Sequence, residues 1–108
     1  MFILINRYLL RKKFTGMTLW PFIILRNGNL KNDLILMNHE RIHLRQQVEL
    51  LVIPFFVCYG IEFLIRLAQY KSRYKAYKNI SFEREAYVNE TDLQYLKNRS
   101  IWRFLKYL

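Results

Sequence analysis

The stretch Asn38-His39-Glu40-Arg41-Ile42-His43 constrains this chain more than any other, because it holds the only two histidines. Residues four apart share one face of a helix. A helix here therefore aims the imidazoles of His39 and His43 at a single point. Glu40 sits roughly 100° round the helix from His39, so it can reach a water at that point without ligating. H-E-x-x-H on a helix is the layout of a zinc hydrolase, with two nitrogen ligands and a general base in five residues. The segment must be helical, and another part of the chain must complete the ligand set.

The flanking sequence agrees with a helix. Asn32 and Asp33 are good N-caps, and a helix fits from about Asp33 into the low fifties. Leu34, Ile35, Leu36, Ile42, Val48 and Leu51 surround the motif almost all round, the pattern of a central, buried helix. Ahead of it, Met17 to Leu25 is rich in β-branched and aromatic residues and suits a strand. Pro21 lacks an N–H, which makes this an edge strand. Asn27-Gly28 matches the positive φ of a tight turn, so an edge strand or small hairpin should precede the motif helix. Residues 1 to 14 are apolar and then basic, and periodicity does not choose strand or helix there.

Pro54 should end or kink the motif helix, with a second helix following to about Gln69 or Tyr70. Leu50 to Ile61 carries no charge, and Glu62 and Arg66 then interrupt the apolar run. A spanning helix needs about 20 mainly apolar residues, and charges at membrane depth are costly. The stretch Leu50–Leu67 is expected to be a buried helix, or one in peripheral contact with a bilayer. Cys58 lies inside this run and reads as core packing. Beyond it, Tyr70 to Lys78 interleaves tyrosines with basic residues. Ser81 should cap a third helix from Phe82 to about Lys97, and Ser100 a short one from Ile101 to Leu108.

Composition narrows the class. The chain has 108 residues, 53% hydrophobic and 17% aromatic, enough for one domain spanning 1–108 with a modest core and too apolar for disorder. A single cysteine supplies no disulfide framework. The N-terminal basic residues follow the apolar run, whereas a signal peptide places them before it, so a cytoplasmic location is expected. A net charge of +10 favours anionic partners such as lipid headgroups or nucleic acid, of which nucleic acid is the less favoured.

A catalytic zinc usually has three protein ligands and one open position. No third histidine exists, so the third ligand must be a carboxylate. On an unbroken helix Glu49 points roughly 80° away from His39, on the side opposite His43, and is set aside. Gln46 shares the histidine face but suits core or supporting hydrogen bonds rather than ligation. The remaining candidates lie in Phe82-Glu83-Arg84-Glu85-Ala86-Tyr87.

Here the residues resemble a family. HERIH followed downstream by Glu83-Arg84-Glu85-Ala86 is similar to the gluzincin metallopeptidases, whose membrane-linked branch opens its third-ligand motif as E-x-E-A-D. The fuller strings HERIHLRQQVELL and ISFEREAYVNE are similar to a short bacterial family with the same motif pair, a likeness running from Met17 to Arg99. The resemblance implies a zincin-like α+β fold, mostly α, with Glu83 as the third zinc ligand. Glu85 lies about 200° from Glu83 on one helix, so it cannot ligate as well and is expected to neutralise Arg41 or Arg45. The resemblance departs at Tyr87, where the family has an acid supporting the first histidine. Glu90 or a main-chain carbonyl should hold that imidazole instead.

The expected function is zinc-dependent hydrolysis of peptide or protein substrates, with Glu40 as general base and Tyr74, Tyr77 or Tyr87 as oxyanion donor. The edge of the Met17–Leu25 strand would align the substrate. The competing expectations are a basic nucleic-acid- or membrane-surface-binding module built on Tyr70–Lys78, and a zinc protein without catalytic activity.

Overall fold

Apolar residues on either side of Pro21 pair with each other instead of forming one strand. The computed structural model describes residues 2–6 and 15–108, so the basic segment after Asn6 lies outside the described residues. β1 (Phe2–Ile5), β2 (Gly16–Leu19) and β3 (Phe22–Leu25) form a sheet in the order β1-β3-β2. β3 is central, parallel to β1 and antiparallel to β2. The expected single edge strand Met17–Leu25 is thus a hairpin, with the cis-linked pair Trp20-Pro21 as its turn. Proline lacks a donor for the ladder, and the turn is where none is needed. Asn27-Gly28 makes no hairpin turn, and Gly28 has no positive φ. The Asn27 side chain instead accepts from the Asn29 N–H and opens a 3₁₀ turn over Gly28–Asn32.

The motif helix α1 spans Leu34–Glu49, and Asp33 caps it by accepting from the Leu36 N–H at 3.0 Å. Its buried face differs from the expected apolar one. Met37 and Ile42 are buried, but so are Asn38, His39, Glu40, His43, Gln46 and Gln47, while Leu34, Ile35, Val48 and the following Leu51 are exposed. Met37 packs with Ile23 and Leu25 and so joins α1 to β3. Gln47 fastens it to β2, accepting from the Trp20 N–H at 2.7 Å and donating to the Thr18 carbonyl at 2.8 Å.

Pro54 does not end α1. The chain turns at Leu51 and Val52, whose φ values are 60° and 53°. The Ile53 N–H donates to the Leu51 carbonyl at 2.6 Å, a γ-turn of the rare positive-φ kind. Pro54 then sits in the first turn of α2 (Ile53–Tyr70), where its missing N–H would have had no helical partner anyway. α2 buries only Phe55. Cys58 is exposed, contrary to the expected core position, because α2 buries only Phe55 and leaves most of its apolar residues uncovered.

α3 (Arg73–Lys78) is capped by Ser72 and packs against α2. α4 (Ser81–Asn89) follows. It stops eight residues short of the expected Lys97 (97 − 89 = 8), because the carbonyls of Asn89, Glu90 and Asp92 turn to the Asn38 side-chain amide instead of continuing the helix. Ser81 is not the cap but the first helical residue. Glu62 of α2 accepts from its N–H and its hydroxyl, both at 2.7 Å. A short α5 (Tyr95–Asn98) and a 3₁₀ turn at Arg103–Tyr107 replace the expected last helix. Phe104 from that turn packs with Phe55, Ile80 and Phe82 in the second core cluster. The fold is α+β and mostly α, with the hairpin before the motif helix and further helices after it.

Candidate metal centre

α1 carries His39 and His43 one turn apart, and the first turn of α4 brings Glu83 against them, with all three buried. The two Nε2 atoms are 3.2 Å apart. Glu83 Oε1 is 3.0 Å from His43 Nε2 and 3.4 Å from His39 Nε2. Ligands 2.0–2.1 Å from a tetrahedral zinc stand about 3.3 Å from one another. The triangle therefore has the edge length of one face of such a site, and the nitrogen and carboxylate donors suit zinc chemically. The structure shows that the cluster could hold a metal ion.

The neighbours orient the ligands. His39 Nδ1 lies 2.9 Å from Glu90 Oε2, and a carboxylate can only accept, so this nitrogen carries the hydrogen. The Gln46 amide donates to the Phe82 carbonyl and to Glu85 Oε1, which leaves its oxygen to accept from His43 Nδ1 at 2.8 Å. With their Nδ1 atoms held by Glu90 and Gln46, both imidazoles turn Nε2 toward Glu83 Oε1, where either a proton or a metal ion can lie between them. Glu83 Oε2 accepts from the Tyr59 hydroxyl at 2.7 Å, which leaves Oε1 as the oxygen turned to the histidines.

Electrostatics follow from this convergence. Burial disfavours a charged His43, but the Glu83 carboxylate outweighs burial and pushes the imidazole up to about 9. Burial would raise Glu83, yet the two histidines hold it well below the usual carboxylate range. The cluster thus attracts a cation, and a proton competes with a metal for the same lone pairs. Burial, reinforced by the Glu83 charge, raises the Tyr59 and Tyr77 phenols far above their ordinary value, so both remain hydrogen-bond donors.

Glu40 stands beside the ligands without joining them. The Thr18 hydroxyl of β2 donates to Glu40 Oε2 at 2.6 Å. The other oxygen, Oε1, faces Gly16, where an added Cβ would come within 3.4 Å of it. Two clefts of about 260 and 210 Å³ adjoin here, and both are lined by Gly16, His39, Glu40 and Tyr77. Tyr87 lines only the larger one. Its ring meets the His39 ring edge-on at 4.5 Å, and its hydroxyl lies 2.9 Å from that of Tyr77. Tyr74 is exposed and lines neither cleft.

A third group of buried charges braces the site. Arg99 pairs with Glu85 through Nε and Nη2 and with Glu49 through Nη1. Glu85 also accepts from Tyr95 and Gln46. The expected partners of Glu85, Arg41 and Arg45, are on the exposed side of α1.

His39, Glu40, His43, Glu83, Tyr77 and Tyr87 all meet at one site, and Glu90 takes the supporting role at His39. The sequence reasoning missed Thr18, Asn38, Tyr59 and Arg99. Only Asn38 carried a local signal, since it precedes His39 and lies one turn before Ile42 on the helix. The chain matches no protein family, and comparison with curated proteins and with solved structures finds no match.

Proposed function

We propose that the chain is a small zinc-dependent peptidase of the gluzincin type, with His39, His43 and Glu83 as metal ligands and Glu40 as general base. The observation that carries this reading is the triangle of three donor atoms with zinc-like edges, beside a carboxylate that ligates nothing. The motif pair at His39–His43 and Glu83–Ala86 points the same way.

When bound, a zinc ion would supply Lewis acidity and a lowered pKa for water. The chain's own residues do the rest. Glu40 accepts a proton at Oε1, because Thr18 occupies Oε2, and returns it to the leaving amine. The two adjoining clefts give a peptide room on either side of Glu40. Tyr77 lines both clefts and stays protonated, which supports it as the hydroxyl that donates to the carbonyl oxygen. Gln47 occupies β2 at Thr18 and Trp20, so the part of this edge suited to pairing with a substrate strand is Gly16 to Met17.

A zinc site without catalysis needs a fourth ligand in place of water. The chain offers no third histidine, and its lone cysteine is on α2 away from the cluster. The reading of Tyr70–Lys78 as a base-stacking platform has less support. Tyr77 is hydrogen-bonded to Tyr87, and the Lys78 ammonium sits 3.4 Å over the Tyr87 ring, so both residues face the site.

The test is metal content of protein purified without added metal, together with hydrolysis of quenched fluorescent peptides. The wild type should carry about one zinc per chain and lose activity to a chelator. Glu40→Gln should keep the zinc and lose about 10²- to 10⁴-fold in turnover. Glu83→Ala should lose the zinc. Activity that persists in Glu40→Gln would remove the general base, and zinc retained by Glu83→Ala would remove the third ligand.

A further inference from the structure

α2 is turned inside out. The side facing the rest of the fold carries Phe55, Tyr59, Phe63 and both charged residues of the helix. Glu62 binds the N-terminus of α4 through Ser81, and Arg66 donates to Gln69 on the same side. The outward side carries Ile53, Val57, Gly60, Ile61, Leu64, Ile65 and Ala68, with no charge among them. Val57 and Leu64, two turns apart at its centre, are 56% and 65% exposed. By length and composition the helix is apolar enough to cross a membrane, and only 6% of it is buried. A contiguous exposed apolar face of this kind marks an interaction site.

Charge identifies the occupant. All eight acidic residues have a partner within the chain. Glu40, Glu83 and Glu90 belong to the site, Glu49 and Glu85 to Arg99, Glu62 to Ser81, and Asp33 and Asp92 to backbone N–H groups. The chain carries a net charge of +10, and basic residues are exposed beside α2 among the described residues. Lys71, Arg73 and Lys75 are exposed just beyond the C-terminal end of α2. At its other end Phe55 packs in the cluster that contains Phe104, which is flanked in sequence by exposed Trp102, Arg103, Leu105 and Lys106. An apolar stripe with exposed basic residues just beyond its C-terminal end complements an anionic bilayer. A second copy of the chain would bring the same positive charge against itself.

We propose that the outward face of α2 docks on an anionic lipid bilayer, with the helix in the plane of the interface. The covered side argues against spanning, because Glu62 and Arg66 and the helices packed there would enter the hydrocarbon with it. Phe56 joins this surface to the chemistry, since it is 41% exposed and also lines the smaller cleft beside Glu40. Docking thus brings one mouth of the site to the level of the lipid headgroups. The inference does not depend on a bound metal.

The experiment uses the full chain and sedimentation with vesicles of phosphatidylcholine alone or mixed with phosphatidylglycerol. Binding should require the anionic lipid, weaken with salt and ignore a chelator. Val57→Asp with Leu64→Asp should weaken it by roughly tenfold or more while circular dichroism stays unchanged. A second readout needs no substitution, because Cys58 is the only cysteine and is exposed on α2. An environment-sensitive fluorophore attached there should shift to the blue on anionic vesicles. No vesicle binding, equal binding to neutral vesicles, or an unshifted fluorophore would overturn the proposal. So would a dimer in solution that the double substitution converts to a monomer, because a second copy would then be the occupant.

Discussion

α1 and α2 are helices of 16 and 18 residues joined by three residues, and they invert the usual amphipathic rule in opposite ways. α1 buries polar side chains and exposes Leu34, Ile35 and Val48. α2 buries almost nothing and exposes an apolar stripe. The buried polar groups of α1 are each satisfied: Asn38 by three carbonyls, His39 by Glu90, Glu40 by Thr18, His43 and Gln46 by each other, and Gln47 by β2. Buried polar groups cost stability unless paired, so a face of this kind exists for what it holds. Exposed apolar surface on α2 has no such explanation among the described residues, and this is why an outside surface is proposed for it.

The comparison breaks most sharply if the same charge is placed on each helix. Ile42→Asp puts an unpaired carboxylate where exposure is 0%, and should cost more than about 4 kcal/mol, enough to prevent folding. Leu64→Asp should change stability by no more than about 0.5 kcal/mol. Urea denaturation measures both, and equal costs would mean that α2 is covered within the folded chain.

Arg99→Met is the next largest. It leaves Glu85 and Glu49 without their cation and should cost about 3–5 kcal/mol, again by urea denaturation. Burial pulls Glu85 upward, but Arg99, Tyr95 and Gln46 outweigh it and hold the carboxyl below its ordinary 4.5. A lowered carboxyl contributes fully above its unfolded value and loses that contribution as pH falls through its folded one. Acid unfolding should therefore set in below about pH 4.5, and the variant should have lost this step. Glu90→Gln has the smallest effect of the three. It keeps the shape but weakens the hold on His39 Nδ1, and should reduce zinc affinity about 10- to 100-fold in a chelator competition. Unchanged affinity would show that Glu90 does not orient the ligand.

Local sequence made α1 legible, since Asp33 caps it as expected and the motif lies mid-helix. Sequence leaves edge strand and hairpin both open, because Pro21 in an apolar run fits either until its flanks are seen to pair. β1 was undecidable for a similar reason: its alternation is absent, and pairing with β3 decides it. Apolar neighbours alone point Cys58 to the core, yet it is exposed. Hydrophobicity says which residues leave water, not whether they leave it for protein or for another partner.

The sequence by itself determined that two imidazoles and a carboxylate share one helix turn, because helical spacing is a local property. It also limited any third ligand for a metal there to a carboxylate, because no further histidine exists and the one cysteine lies elsewhere. Only the tertiary structure decided that Glu83 Oε1 meets both Nε2 atoms, that Thr18 holds Glu40, and that Glu90 rather than Tyr87 supports His39. These contacts join residues 22 to 51 positions apart, and no periodicity records a distance of that kind. The same holds for α2, whose composition was plain from the start. Which of its faces looks outward depended on Glu62 finding the N-terminus of α4.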